Sequence, residues 1–167
     1  MKFLSASYFF GGFAAVAVAC FLVGEGTAGG QWLAASNPGE HLMDTAMFAM
    51  ALPGSLLWGW LGGCVLLALP LGLLRRQGLS SQLATGVAAG IVFDAVGILD
   101  YVTQKGTFSF DTLNGLTGTW PASLAAQNWA QGHSFAAIVQ LIAPPVAGLI
   151  AAYVFHRFVT AMDGVKA

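Results

Sequence analysis

Asp94 stands in "GIVFDAVGILDY", residues 90–101, an apolar run that otherwise reads as membrane helix, with Asp100 six residues further on. A charged side chain deep in a bilayer costs about 2.5–3.5 kcal/mol on insertion scales, so a carboxyl group there needs a donor, a proton or a function. Two chemistries suit it: hydrogen-bond glue between helices, or one wall of a path for a proton or solute. Asp100, close to the end of the same run, needs only water.

Gln140 is the first candidate partner. Counted inward from Val102, Asp94 lies roughly 12 Å below the outer boundary, and Gln140 lies roughly 9 Å into the returning apolar run at 1.5 Å per residue. Their similar depth predicts an intramembrane polar pair, Asp94 with Gln140. Beyond Gln140 come Pro144 and Pro145 in "APPVAG". Tandem prolines remove two N–H donors, which bends a helix and frees carbonyls that can face a ligand or ion.

His41, Asp44 and His133 fall at the outer boundary, where imidazole and carboxylate ligands would suit a divalent ion. Nothing in their spacing demands a metal, and boundary histidines that meet water or headgroups are the plainer reading. A buried haem needs two facing axial ligands. His41 and His133 lie too near the surface for that, and His156 is at the opposite end. Met43, Met47 and Met50 share one helix face, a pattern that serves adaptable packing more often than soft-metal binding. Cys20 and Cys64 are read at different depths, which predicts neither a disulfide nor a redox pair. Phosphate-binding loops, zinc-type spacings, dinucleotide fingerprints and nucleophile elbows are all missing from the sequence, and no catalytic residue is assigned.

The elements that must position these residues follow from composition. The 167 residues are 57% hydrophobic and 8% charged, against roughly 25% charged in a soluble domain, so the chain reads as an integral membrane protein. No basic cluster could follow a nucleic-acid backbone. Continuous apolar blocks predict an all-α fold with four transmembrane helices, at about 4–23, 54–74, 82–102 and 135–158, in one domain over 1–167. The first block has the look of a secretory signal, with Lys2, an apolar core and small residues before Cys20. Ala17 stands where a lipoprotein cleavage box prefers Leu, so an uncleaved helix is expected. Pro53 divides the long second block and predicts a short interfacial helix over "EHLMDTAMFAMAL" before span two, while Pro70 is placed to bend its far end. Residues 24–53 and 103–134 form the outer loops.

Lys2, Arg75, Arg76, Arg157 and Lys166 all flank one side of such a bundle, and only Lys105 the other. By the positive-inside rule both termini are cytoplasmic, and a bacterial inner membrane is the expected location. Trp32, Trp120 and Trp129 suit the outer headgroup region, and Trp58 and Trp60 lie within span two. An aromatic belt with core packing accounts for them, and lipid, quinone or pigment contact is the alternative.

The chain holds 22 glycines. Helices in lipid associate by close packing at small residues, and Gly59 with Gly63, and Gly86 with Gly90, are each four residues apart. Gly86, Gly90, Asp94, Gly97 and Tyr101 share one stripe at 3.6 residues per turn, which predicts that Asp94 is buried in a helix contact.

The leading functional expectation is an auxiliary or structural subunit of a larger membrane complex, energy-transducing or photosynthetic, with other membrane subunits as partners. A small transporter or channel, as a homo-oligomer, with Asp94, Gln140 and the bend at Pro144 and Pro145 lining the path, is the alternative. The third reading is a membrane enzyme with an outer-boundary carboxylate and histidine site. Two aspartates in a four-span chain resemble the aspartyl signal peptidases of lipoproteins in that count, but the paired Asn-x-Ala-Asp motif of that family is missing here.

Overall fold

The computed structural model describes residues 6–34, 63–74, 76–104 and 121–163. Helices dominate, and there is no strand among the described residues. In chain order they are α1 (Ala6–Ala34), α2 (Cys64–Leu73), α3 (Leu79–Gln104), α4 (Pro121–Ala130) and α5 (Ser134–Asp163). Three of them, α1, α3 and α5, are long and apolar enough to cross a membrane, and the chain is a helical membrane protein by that length and composition. The second apolar block is described only from residue 63 onward, as α2.

The glycine contacts fix the register. Gly11 faces Phe155, Phe158 and Val159, Gly26 faces Ala143, and Gly30 faces Gln140, so α1 and α5 run antiparallel over almost their whole lengths. Gly86 meets Gly148 and Ala152, and Gly90 meets Pro144 and Pro145, so α3 is also antiparallel to α5. Gly12 packs on Ala68 and Gly63 on Val16, which sets α2 antiparallel to α1. Helix α5 is therefore the central post, with α1 and α3 on two of its faces.

The apolar core lies toward the N-terminal end of α1, where Ala15, Leu67, Leu71, Ala151, Ala152, Phe155 and Val159 are buried together. Tyr8 closes it, with its ring edge-on to Phe155 and its hydroxyl donating to the Ala68 carbonyl at 3.3 Å. That carbonyl belongs to a locally widened turn. Pro70 has no N–H to offer the carbonyl of Leu66, and the preceding residues Cys64–Ala68 wind as a π-turn, with the Leu69 N–H reaching back to the Cys64 carbonyl.

The outward faces carry Phe9, Phe13, Phe21, Ile91, Leu99 and Ile142, each more than half exposed. In water that much exposed apolar surface would forfeit about 1.5–3 kcal/mol for each large side chain. Lipid tails are as apolar as leucine, so the same surface suits a bilayer.

Two elements differ from the sequence expectation. Helix α1 continues past Val23 to Ala34, because Gly26, Thr27 and Gly30 all face inward onto α5 and the bundle absorbs their weak hydrophobicity. Residues 103–134, expected as a loop, contain α4. Pro121 opens that helix at a position where its missing N–H costs nothing. A Schellman turn closes it: Gly132 takes φ +86°, the His133 N–H donates to the Asn128 carbonyl at 2.8 Å, and the Gly132 N–H donates to the Trp129 carbonyl at 3.1 Å. The His133 carbonyl then accepts from the Ala137 N–H, so α5 starts within a few residues of the end of α4.

Candidate functional site

The polar side chains buried among the described residues gather at two levels of the bundle. One lies at the turn between α2 and α3. Gln82 is fully buried in the first turn of α3 and gives its amide N–H groups to the carbonyls of Leu74 and Gln77, both at 3.4 Å. Both carbonyls belong to the turn between α2 and α3, outside either helix. Because the amide nitrogen is used there, the Gln82 oxygen faces His156 Nδ1 at 3.1 Å and accepts from it in the tautomer that carries its hydrogen on Nδ1. Gln82 thus joins α2, α3 and α5 in one contact.

The other level lies where α1, α4 and α5 meet. Gln140 has no exposed surface; its amide oxygen accepts from Asn128 Nδ2 at 2.9 Å, and its nitrogen donates to the Thr27 carbonyl at 3.4 Å. Gly30 lies against the Gln140 side chain so closely that an added Cβ would sit 2.7 Å from Cδ. The Thr27 hydroxyl turns back to the Val23 carbonyl at 2.7 Å. On the far side of α4, the buried Ser123 hydroxyl donates to the Gly97 carbonyl of α3 at 2.9 Å. Ten residues that read as loop are therefore an amphipathic plug: Ala122, Ser123, Ala125 and Asn128 face inward, and Trp129 is exposed.

Asp94 is 8% exposed, and its Oδ1 is buried with no hydrogen-bond partner among the described residues. It lies on the same helix as Gly86, Gly90 and Gly97, four residues beyond Gly90. Gly86 and Gly90 let α3 approach the α5 backbone so closely that an added Cβ would collide with the carbonyls of Gly148 and Pro144, and Gly97 is buried further along. The residue expected to meet Asp94 is engaged elsewhere. Gln140 matches it in depth but turns toward α1 and α4, where Thr27 and Asn128 take both ends of its amide. Eight residues separate Gln140 from Gly148, a rotation of about 80° around α5, enough to move a side chain from the α3 side toward α1.

Other expected site residues distribute as follows. Gly63 packs on Val16, within 2.8 Å of an added Cβ. Pro144 is buried, Pro145 is half-buried, and α5 stays helical through both. His133 is half-buried and contributes its backbone to the turn described above. His41, Asp44, Pro53 and Gly59 lie outside the described residues, as does the expected interfacial helix. Among the described residues no three His, Cys, Asp or Glu side chains come together as a metal-binding group. Cys20 and Cys64 are free thiols.

Sequence reasoning passed over Thr27, Gly30, Gln82, Asn128 and Gly148. A signal existed for Gly148, four residues after Pro144 in "PPVAG" and so on the same helix face. None existed for Asn128, which sits in a segment whose polarity resembles a loop. Comparison with protein families, curated proteins and solved structures finds no match to this chain.

Proposed function

We propose that this chain is a four-span membrane protein with both termini cytoplasmic, and that it serves as an auxiliary subunit of a larger assembly in a bacterial inner membrane. The observation that carries the reading is where its buried polar chemistry goes. Gln82, Ser123, Asn128 and Gln140 are each bonded to another protein group across helices, and so hold the bundle together. Such satisfied contacts rigidify a scaffold and leave little for turnover chemistry. The fourth span is the apolar block that ends in α2, and the basic flanks at Lys2, Arg75, Arg76, Arg157 and Lys166 support the orientation. Extraction of the tagged chain in a mild detergent is expected to bring larger membrane subunits with it in fixed ratio. Recovery as a stable monomer free of other polypeptides would count decisively against the proposal.

One observation favours transport as a second reading: the buried Asp94 Oδ1 at the α3–α5 contact, without a hydrogen-bond partner among the described residues. On that reading the path follows Asp94, Pro144 and Pro145, and Gln140 acts only as a structural tie. Proton flux into liposomes holding the purified chain, lost in Asp94→Asn, is the expected result. Equal flux in both would remove this reading.

A further inference from the structure

We infer that Asp94 is a proton-binding site, at which the carboxylic acid gives its O–H to the carbonyl of Leu141 across the α3–α5 contact. Three features of the bundle lead there, and they hold whether the chain works as a subunit or alone.

The first is register. Gly86 faces Gly148 and Gly90 faces Pro144 and Pro145, so each step of four outward along α3 is a step of four backward along α5. One turn beyond Gly90, Asp94 is level with Gln140 and Leu141.

The second is a shortage of donors at that level. A helical carbonyl accepts from the N–H four residues on, and for Gln140 and Leu141 those residues are Pro144 and Pro145, which have none. The Gln140 amide does not supply Asp94 Oδ1 either: it is turned toward α1 and α4, where Thr27 and Asn128 meet it. A buried carboxyl oxygen without a donor and backbone carbonyls without helical donors thus share one level of one interface. A carboxylate there would remain unpaired, and unpaired carbonyls beside it would add to the cost. A single proton on Asp94 removes the charge and gives one of those carbonyls, that of Leu141, a donor.

The third is direction. Side chains on a helix lean toward its N-terminus, and carbonyls point toward its C-terminus. In antiparallel α3 and α5, the Asp94 side chain and the Leu141 carbonyl therefore both lean toward the Gly90–Pro145 contact. The close approach that the glycines permit is what brings them into range.

Ionisable neighbours do not interfere. At this level α5 presents Ala137, Leu141 and Pro144, and α4 contains no titratable side chain. On α2 the only such group is Cys64, close to the Gly63–Val16 contact with α1, and on α3 itself Asp100 and Tyr101 follow more than a turn further out.

The test uses the full chain in native membranes and a hydrophobic carbodiimide, which modifies a carboxyl group only in its protonated form, with the modified residue identified by mass spectrometry. Asp94 is expected to be modified, with a yield that falls as pH rises, and Asp94→Asn to lose the modification while keeping its thermal stability, since the amide can still donate to the carbonyl. Pro145→Ala restores an N–H to the Leu141 carbonyl, which then competes with the Asp94 O–H for that oxygen and weakens it as an acceptor. Its pH midpoint is expected to drop by about half to one unit, the worth of one hydrogen bond to the acid form. Infrared spectra give the same readout without the reagent, through a protonated-acid C=O band present in the wild type and missing in Asp94→Asn. An unmodified Asp94 with no acid band would overturn the site. An unmoved midpoint in Pro145→Ala would overturn the role of the carbonyl, and protection by sodium or lithium ions would replace the proton with a metal cation.

Discussion

At the scale of single residues, the side chain that determines most is Gln140, because its amide bonds to two helices at once. Gln140→Ala leaves Asn128 Nδ2 without its acceptor and empties the space against Gly30. A buried group left unsatisfied costs about 1–3 kcal/mol in soluble proteins. In membranes such hydrogen bonds average about 0.6 kcal/mol, since the separated helices find other partners. The lower figure governs here, and a loss of about 1 kcal/mol is expected for Gln140→Ala. Chemical unfolding in mixed micelles would show it as a lower midpoint, with Ser123→Ala affected less because its hydroxyl holds only one bond. Equal losses would mean that the network is not centred on Gln140. The sequence showed that Asp94 and Gln140 are buried at one depth but not that they point apart. Depth is a count along the chain, whereas facing depends on which neighbour the rest of a helix has already chosen, and α5 meets α1 along that side.

At the scale of elements, the α3–α5 seam is the part most legible beforehand. The spacing of Gly86 and Gly90 is a direct statement about one helix face, and the partner face at Gly148 follows the same rule. Helix α4 is the part least legible, since a ten-residue helix that buries Ser123 and Asn128 has no apolar period to read. The seam makes a graded prediction. An added Cβ at Gly90 meets backbone at Pro144 and Pro145, which cannot move aside as a flexible side chain can. Gly90→Ala should therefore force α3 and α5 apart, at about the 1–3 kcal/mol typical of overpacking. Gly29, in α1, has nothing among the described residues within 4 Å of an added Cβ. There Gly29→Ala should be neutral or gain up to about 1 kcal/mol from helix propensity. Thermal melts in one detergent, followed by circular dichroism, compare the two directly, and a Gly90→Ala protein as stable as wild type would contradict the close seam.

At the scale of the whole molecule, the described helices fix relative directions that the masses of apolar sequence alone do not. Helix α3 starts just after Gln77 and runs antiparallel to α5, which starts just after the turn at Gln131 and Gly132. Gln77 and Gln131 are both exposed and lie at opposite ends of α3 and α5. If the bundle crosses the membrane, they must face opposite compartments, whatever the path of the chain before residue 63. The basic flanks then decide which is which: Arg75 and Arg76 adjoin Gln77, whereas no Lys or Arg lies within 20 residues of Gln131 on either side. With Cys20 and Cys64 replaced by serine, a cysteine at Gln131 should react with a membrane-impermeant maleimide in intact cells. A cysteine at Gln77 should react only after permeabilisation. The reverse pattern would keep the fold and invert the proposed orientation, while reaction of both from outside would show that α3 does not cross the bilayer.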